Sequence, residues 1–322
     1  MNLRSGIADS GIIVFRKPAG ITSHDAVSIV RRLTGLRRVG HTGTLDPMAT
    51  GVLPICIGRA TRVIEFMDIN GSPDAKSYRC EMKLGAVSDT QDIWGTVTQS
   101  APPGDLPDAD AICDALKSME GKGTQTTPLY SAAKYRGKPL YAYARAGTPL
   151  PEDARKERDI HINRIVIREI DLANASVRFD IDCSAGVYIR TVCCDVGRKL
   201  GCGAVMSALV RTRSCGFRIE ESHGPDELES MQGSLPVLPA DSALGDLPAV
   251  VLDDAAARTF QNGGSISMNS YENVSGPRQG DVNDEAAVAA REGFSRVYAD
   301  SRFIGIAKCE RGVLKPRKVI SE

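Results

Sequence analysis

No stretch of this chain approaches the roughly 18 consecutive apolar residues that a membrane-crossing helix needs. The apolar run near the N-terminus, in MNLRSGIADSGIIVF, is too short for a secretory leader. No C-x-x-C pair occurs. The nine cysteines are scattered and adjacent only at Cys193–Cys194, which suggests neither a zinc site nor a disulfide framework. In a reducing compartment such residues are small core side chains, so we expect a cytoplasmic protein with no metal. Charge of one sign is missing too: 40 Lys and Arg face 40 Asp and Glu, and the total says nothing about nucleic acid.

The distribution of charge says more. Arg31, Arg32, Arg37 and Arg38 cluster in one segment. Lys134, Arg136, Lys138 and Arg145 stand in YSAAKYRGKPLYAYARAG with Tyr130, Tyr135, Tyr141 and Tyr143 and no acid. Arg211, Arg213 and Arg218 follow, then Arg311, Lys315, Arg317 and Lys318, while acids gather at 105–114 and 220–229. Each run alone fits a solvated face. Four basic segments, one interleaved with aromatics, point toward RNA, whose bases stack on rings while its phosphates take Lys and Arg.

At 322 residues, 42% hydrophobic and 25% charged, the chain has room for one large domain and a small one. GIIVFRKPAG reads as a buried strand ending in a turn. Thr22 starts a helix, with Asp25 as the capping partner and Gly35 as the stop; Ala26, Ile29, Val30 and Leu33 form its apolar stripe. KSYRCEMKLG and ASVRFDIDCS alternate as half-buried strands, with Tyr78 on the apolar side of the first. VYIRTVCCDVGRKLG reads as a helix closed by Gly201, and AVMSALVRTRS as a further strand or strand pair. The expected fold class is α+β: helices on a mixed, largely antiparallel sheet. Polar, proline-bearing sequence at 220–246 places a boundary near residue 245, giving units 1–245 and 246–322, the second small and β-rich. Within it, 265–295 reads as a polar surface excursion.

One segment raises a question of chemistry. RVGHTGTLDPMATGVLP holds a single acid, Asp46, among glycines, threonines and prolines, with His41 five residues upstream. Asp-Pro is a common turn dipeptide, and Asp46 could do no more than cap it. A phosphate-binding loop is a poor match, because GHTGTLD lacks the Lys-Ser/Thr of a P-loop.

KPAGITSHDAV, GHTGTLDPMATGVLPICIGRATR, KSYRCEMKLG, YSAAKYRGKPLYAYAR and CSAGVYIRTVCCDVGRKLGCGA, in that order, resemble the TruB family of tRNA pseudouridine synthases over about residues 11–218. YADSRFIGIAKCERGVLKPRKVI resembles the PUA RNA-binding domain. The resemblance implies the pseudouridine synthase fold, a PUA-like C-terminal unit, and isomerisation of the T-loop uridine, position 55, of tRNA. No cofactor is implied, since nothing is oxidised and no group arrives from outside. It also implies roles. Asp46 is the catalytic carboxylate, Arg190 the cation that keeps its pKa down, and Tyr78 the tyrosine stacking on the target base. His41 packs beside the flipped nucleotide, Tyr188 and Leu209 line the uracil pocket, and Lys17 and Pro18 form a structural turn. A thumb-like segment at about 124–150, carrying Lys134, Arg136, Lys138 and Arg145, holds the tRNA T-arm. Thr127-Pro128 stands where the family usually has Pro-Pro, which bears on the thumb's loop shape. No obligatory protein partner is expected, and we expect a monomer. Two other readings stay open: the catalytic subunit of a guide-RNA particle, and an RNA-folding chaperone that binds without chemistry.

Overall fold

The computed structural model describes residues 9–67, 75–231, 233–267, 274–275 and 293–320. Most of the 265–295 excursion lies outside the described residues.

The chain opens with β1 (Gly11–Lys17), then α1 (Ser23–Thr34), β2 (Val39–His41), β3 (Thr50–Ile57) and β4 (Lys76–Leu84). A small hairpin, β5 (Ala86–Ser88) and β6 (Val97–Gln99), precedes α2 (Ala109–Lys117) and β7 (Gly121–Thr126). A second small hairpin, β8 (Lys134–Tyr135) and β9 (Lys138–Pro139), leads into α3 (Leu140–Arg145). Then come β10 (Glu157–Asp171), β11 (Ser176–Cys183), α4 (Ile189–Leu200), β12 (Ala204–Ser214), β13 (Phe217–Arg218) and α5 (Pro225–Ser230). AVMSALVRTRS is thus one strand.

The main sheet is nine-stranded and runs β1-β3-β12-β4-β11-β10-β7, with β2 on β3 and β13 on β12. Every pairing is antiparallel except β12 with β3. That parallel step depends on Gly51. Its φ is +103°, and a Cβ there would lie 2.2 Å from the carbonyl oxygen of Arg211, so only glycine lets β3 approach β12. Along β4 the buried residues alternate, Tyr78, Cys80, Met82 and Leu84 facing inward. Facing outward are charge pairs such as Arg79–Asp180, Arg168–Asp180 and Arg164–Asp182, the pattern of an antiparallel sheet covered on one side. Helix α4 packs on the covered face, with Cys193 Sγ 3.6 Å from Cys80 Sγ. None of the nine cysteines is in a disulfide, and seven are buried.

Both ends of α1 are set locally. Thr22 accepts a hydrogen bond from the Asp25 backbone while the Asp25 carboxylate accepts from the Thr22 backbone, and Gly35 closes the helix in the left-handed region at φ 67°.

A second sheet of six strands contains β14 (Ala249–Leu252), β15 (Ile266–Ser267), β16 (Val274–Ser275), β17 (Gly293–Ala299), β18 (Arg302–Glu310) and β19 (Val313–Val319). Helix α6 (Asp254–Gln261) seals its core with Phe260. The two sheets meet over the 3-10 helix Gly58–Phe66. There Phe66 and Phe294 pack edge to face at 5.2 Å, and Lys318 pairs with Glu65 at 2.8 Å.

Candidate active site

Asp46 sits in a loop pinned from three sides. Its own carbonyl accepts from the Ala49 N–H at 3.0 Å, so the Asp-Pro turn is real. Ser23, at the start of α1, bonds the Leu45 backbone twice: Oγ accepts from the N–H at 2.8 Å and donates to the carbonyl at 3.1 Å. Lys17, at the end of β1, is fully buried and donates to the carbonyls of Ile21, Pro18 and Pro47 at 2.7, 2.9 and 3.2 Å. An ammonium has three donors, and all three are used in tying the 18–21 turn to Asp46's neighbour. Burial outweighs the attraction of Asp46 and draws the Lys17 pKa down to about 8.

The turn leaves the Asp46 carboxylate to other uses. Asp46 Oδ2 lies 3.4 Å from Arg190 Nη1, with the two side chains 29% and 4% exposed. Arg190 belongs to the first turn of α4. Its Nη2 donates to the Tyr130 carbonyl at 2.6 Å, and its guanidinium lies 5.6 Å from the Tyr188 ring centroid. The electrostatics correct one expectation. Arg190 does pull the Asp46 pKa down, but burial is the larger effect and Asp92 adds to it, so the pKa stands above its ordinary value.

Asp46, Arg190, His41 and Arg145 face one cavity of about 480 Å³, walled also by Leu45, Met48, Thr90, Asp92, Trp94, Tyr130, Ser131 and Tyr141. Among the described residues, four buried side-chain atoms have no hydrogen-bond partner: His41 Nδ1, Thr42 Oγ1, Ser131 Oγ and Arg190 Nε. Three belong to the cavity wall and the fourth adjoins His41. Buried polar atoms normally find partners; gathered here, they suit a polar ligand. Burial, then Arg211 and His24, lower the pKa of His41, which leaves its ring neutral near neutral pH.

Three family models match in succession. The N-terminal domain of TruB family pseudouridylate synthases covers residues 31–189 and the tRNA pseudouridylate synthase B C-terminal domain covers 190–244. The C-terminal model of pseudouridine synthase II TruB covers 248–320. The chain belongs to the TruB family. A tRNA pseudouridine synthase B from Streptococcus thermophilus (strain CNRZ 1066) is 39% identical over 97% of this chain and 99% of that protein. One from Alkaliphilus oremlandii is 41% identical, covering 81% and 84%. Among solved structures, a Cbf5–Nop10–Gar1 complex matches with a TM-score of 0.71 over 99% of this chain and 87% of that one; at 24% identity this is a likeness of fold.

Tyr78, Leu209, Tyr188, Lys134, Arg136 and Lys138, which the TruB resemblance singled out, lie off the cavity wall. Tyr78 and Leu209 are 7% and 6% exposed and belong to the core cluster that includes Leu45 and Met48. Burial pushes the Tyr78 pKa up, and the neighbouring Arg211 cation opposes that shift. Tyr188 caps α4 at its N-terminus, its backbone held by Gln125 in both directions at 2.8 and 3.1 Å. Lys134, Arg136 and Lys138 are exposed on the β8–β9 hairpin, and Arg145 is exposed at the end of α3. Among the described residues none of these four pairs with a carboxylate. Instead Arg136, Lys138 and Arg145 lie over Tyr135, Tyr143 and Tyr141 at 5.3, 4.8 and 5.5 Å.

Arg211 is a second correction. Sequence grouped it with exposed cations, but it is 1% exposed and donates to the carbonyls of Val52 and Gly43 at 2.7 and 3.2 Å. Sequence reasoning also passed over SDTQDIWG, which supplies Thr90, Asp92 and Trp94 to the wall. The signal was there: an apolar Ile-Trp pair inside a polar turn.

Proposed function

We propose that this protein is a stand-alone tRNA pseudouridine synthase that isomerises the T-loop uridine at position 55. Asp46 is the catalytic carboxylate. The uridine's N1–C1′ bond breaks, the base turns within the cavity, a C5–C1′ bond forms, and the proton lost from C5 is balanced by one taken up at N1, so that product and substrate are isomers. The observation carrying this reading is the Asp46–Arg190 pair, held in a cavity whose wall collects unpartnered polar atoms. Such a cavity takes a nucleotide extruded from its stack. Arg190 favours the ionised carboxylate and offsets part of the burial that opposes it. Tyr78 is assigned to the target base, which requires its side chain or the base to move past the present wall, and Leu209 and Tyr188 to the shell around the uracil. His41, neutral, fills the gap left by the flipped nucleotide. Lys134, Arg136, Lys138 and Arg145, on the thumb at 124–150, grip the T-arm backbone. A protein that finds its own RNA needs such a clamp, which favours this reading over a guide-RNA subunit. We assign it to the cytoplasm as a monomer; no helix among the described residues is long and apolar enough to cross a membrane.

The test is incubation of the purified protein with one unmodified tRNA transcript, mapping pseudouridine by position. Conversion at position 55 alone is expected. Binding without conversion would support the chaperone reading, and conversion only with an added guide RNA would support the particle.

A further inference from the structure

Trp94 is the single tryptophan of the chain. It is 57% exposed on the wall of the Asp46 cavity, with Ile93 and Val97 beside it in sequence at 41% and 46%. Scattered apolar residues on a surface need no explanation, but a large exposed aromatic on a cavity wall marks a contact. The loop that carries them is not slack. The Asp92 carboxylate accepts from the Trp94 N–H and the Thr90 hydroxyl, both at 2.9 Å, and the Asp89 carboxylate accepts from the Thr96 N–H at 2.8 Å. The Ile93 N–H donates to the Met206 carbonyl at 3.0 Å, tying the loop to β12. A side chain at Gly95 would come within 2.3 Å of Asp89 and Thr90, so the turn closes tightly. The indole is therefore displayed by a fixed loop. The same cavity wall carries Tyr130, Tyr141 and Arg145.

We propose that the Trp94 indole is a stacking platform for the base of a nucleotide flanking the one that enters the Asp46 cavity. The proposal rests on the RNA-modifying reading above and adds a substrate contact to it. Extruding one nucleotide leaves its neighbours with an open face, and unstacked bases settle on aromatic rings. The charge around the mouth favours a polyanion over an apolar protein segment: Arg145 shares the wall, and exposed Lys134, Arg136 and Lys138 stand on the nearby hairpin with no carboxylate partner among the described residues. The cavity takes the target nucleotide and the Trp94 indole on its wall takes the neighbour.

As the sole tryptophan, Trp94 reports on itself. Titrating the wild-type protein with unmodified tRNA transcript should quench its emission, saturating at the Kd given by filter retention, and should shield it from acrylamide. Trp94→Ala should melt with wild type and raise Kd about 5- to 150-fold, the ~1–3 kcal/mol of one stacked base. The slope of log Kd against log salt should stay unchanged, because no phosphate contact is lost. Trp94→Phe, which keeps an aromatic face, should recover most of the affinity. Unchanged emission and acrylamide access at saturating tRNA, or wild-type affinity in Trp94→Ala, would overturn the proposal. Quenching by a protein that forms no pseudouridine would support the platform and count against the catalytic reading instead.

Discussion

At Asp46 two demands oppose each other. The proposed chemistry needs a charged carboxylate, and burial favours the neutral one; Arg190 supplies the counter-charge but does not fully offset the burial. The consequence is an acid limb in the rate profile: activity falls as pH drops through the raised Asp46 pKa, at higher pH than an ordinary aspartate would give. Arg190→Met removes the lowering contribution, so the limb should shift further toward neutral pH. Single-turnover rates measured across pH test this, and an unmoved limb rejects the pairing. The same variant should lose rate far more than tRNA affinity, because a guanidinium that is 4% exposed offers the RNA little surface. Asp46→Asn removes charge and almost no contact area. It should lower the single-turnover rate by at least about three orders of magnitude while tRNA affinity stays within about twofold. Residual turnover within about tenfold of wild type would show that another group does the chemistry.

Between elements, Lys17 joins the end of β1 and the 18–21 turn to the Asp46 loop through the carbonyls of Pro18, Ile21 and Pro47, and its environment fixes a pH signature. Its folded pKa, about 8, lies below the ordinary 10.5. Between those values the unfolded chain binds more protons than the folded one, so this residue makes stability rise with pH across that window. Lys17→Met should flatten that rise. It should also cost at least about 1 kcal/mol at neutral pH, since the carbonyls lose their donor; urea unfolding at several pH values measures both. The thumb offers another contrast. Lys134, Arg136 and Lys138 changed together to Ala should weaken tRNA binding and flatten the salt slope by roughly two to three units if each holds one phosphate. His41→Ala should slow single turnover and leave that slope intact, because its neutral ring carries no counter-charge. A wild-type slope in the triple variant would make those charges a solvated face. What could be read from sequence at this scale was what is local. Thr22, Asp25 and Gly35 bound α1 within fourteen residues of chain, and alternation alone turned Tyr78 inward. The 15-residue β10 went unread because register shifts after Ile162 and Ile167 break its alternation. The bond from Lys17 to the Pro47 carbonyl and the burial of Arg211 depend on segments brought together from far along the chain, which no local pattern encodes.

Basic residues also stand on the second sheet. In the second sheet, Lys308 and Lys315 pair with Glu310, and Lys318 pairs with Glu65 of the first unit, so those charges are already engaged. Arg311 and Arg317 are exposed and, among the described residues, have no carboxylate partner. The contact of Phe66 with Phe294 and the bond from Arg62 Nη1 to the Val319 carbonyl at 2.8 Å tie this sheet to the catalytic unit. If the thumb holds tRNA as proposed, the second sheet would offer it a second grip. Converting Arg311 and Arg317 together to Ala should raise the tRNA Kd and flatten the salt slope by roughly one to two units. The single-turnover rate at saturating enzyme should not change, because neither residue approaches the Asp46 cavity. Combined with the thumb triple variant, the losses in log Kd should add, as expected for sites that share no partner. Filter binding at several salt concentrations, with single turnover on the same preparations, decides it: a wild-type slope in the double variant would leave the thumb as the protein's main grip on RNA, and a slowed chemical step would mean that the second sheet helps to position the nucleotide.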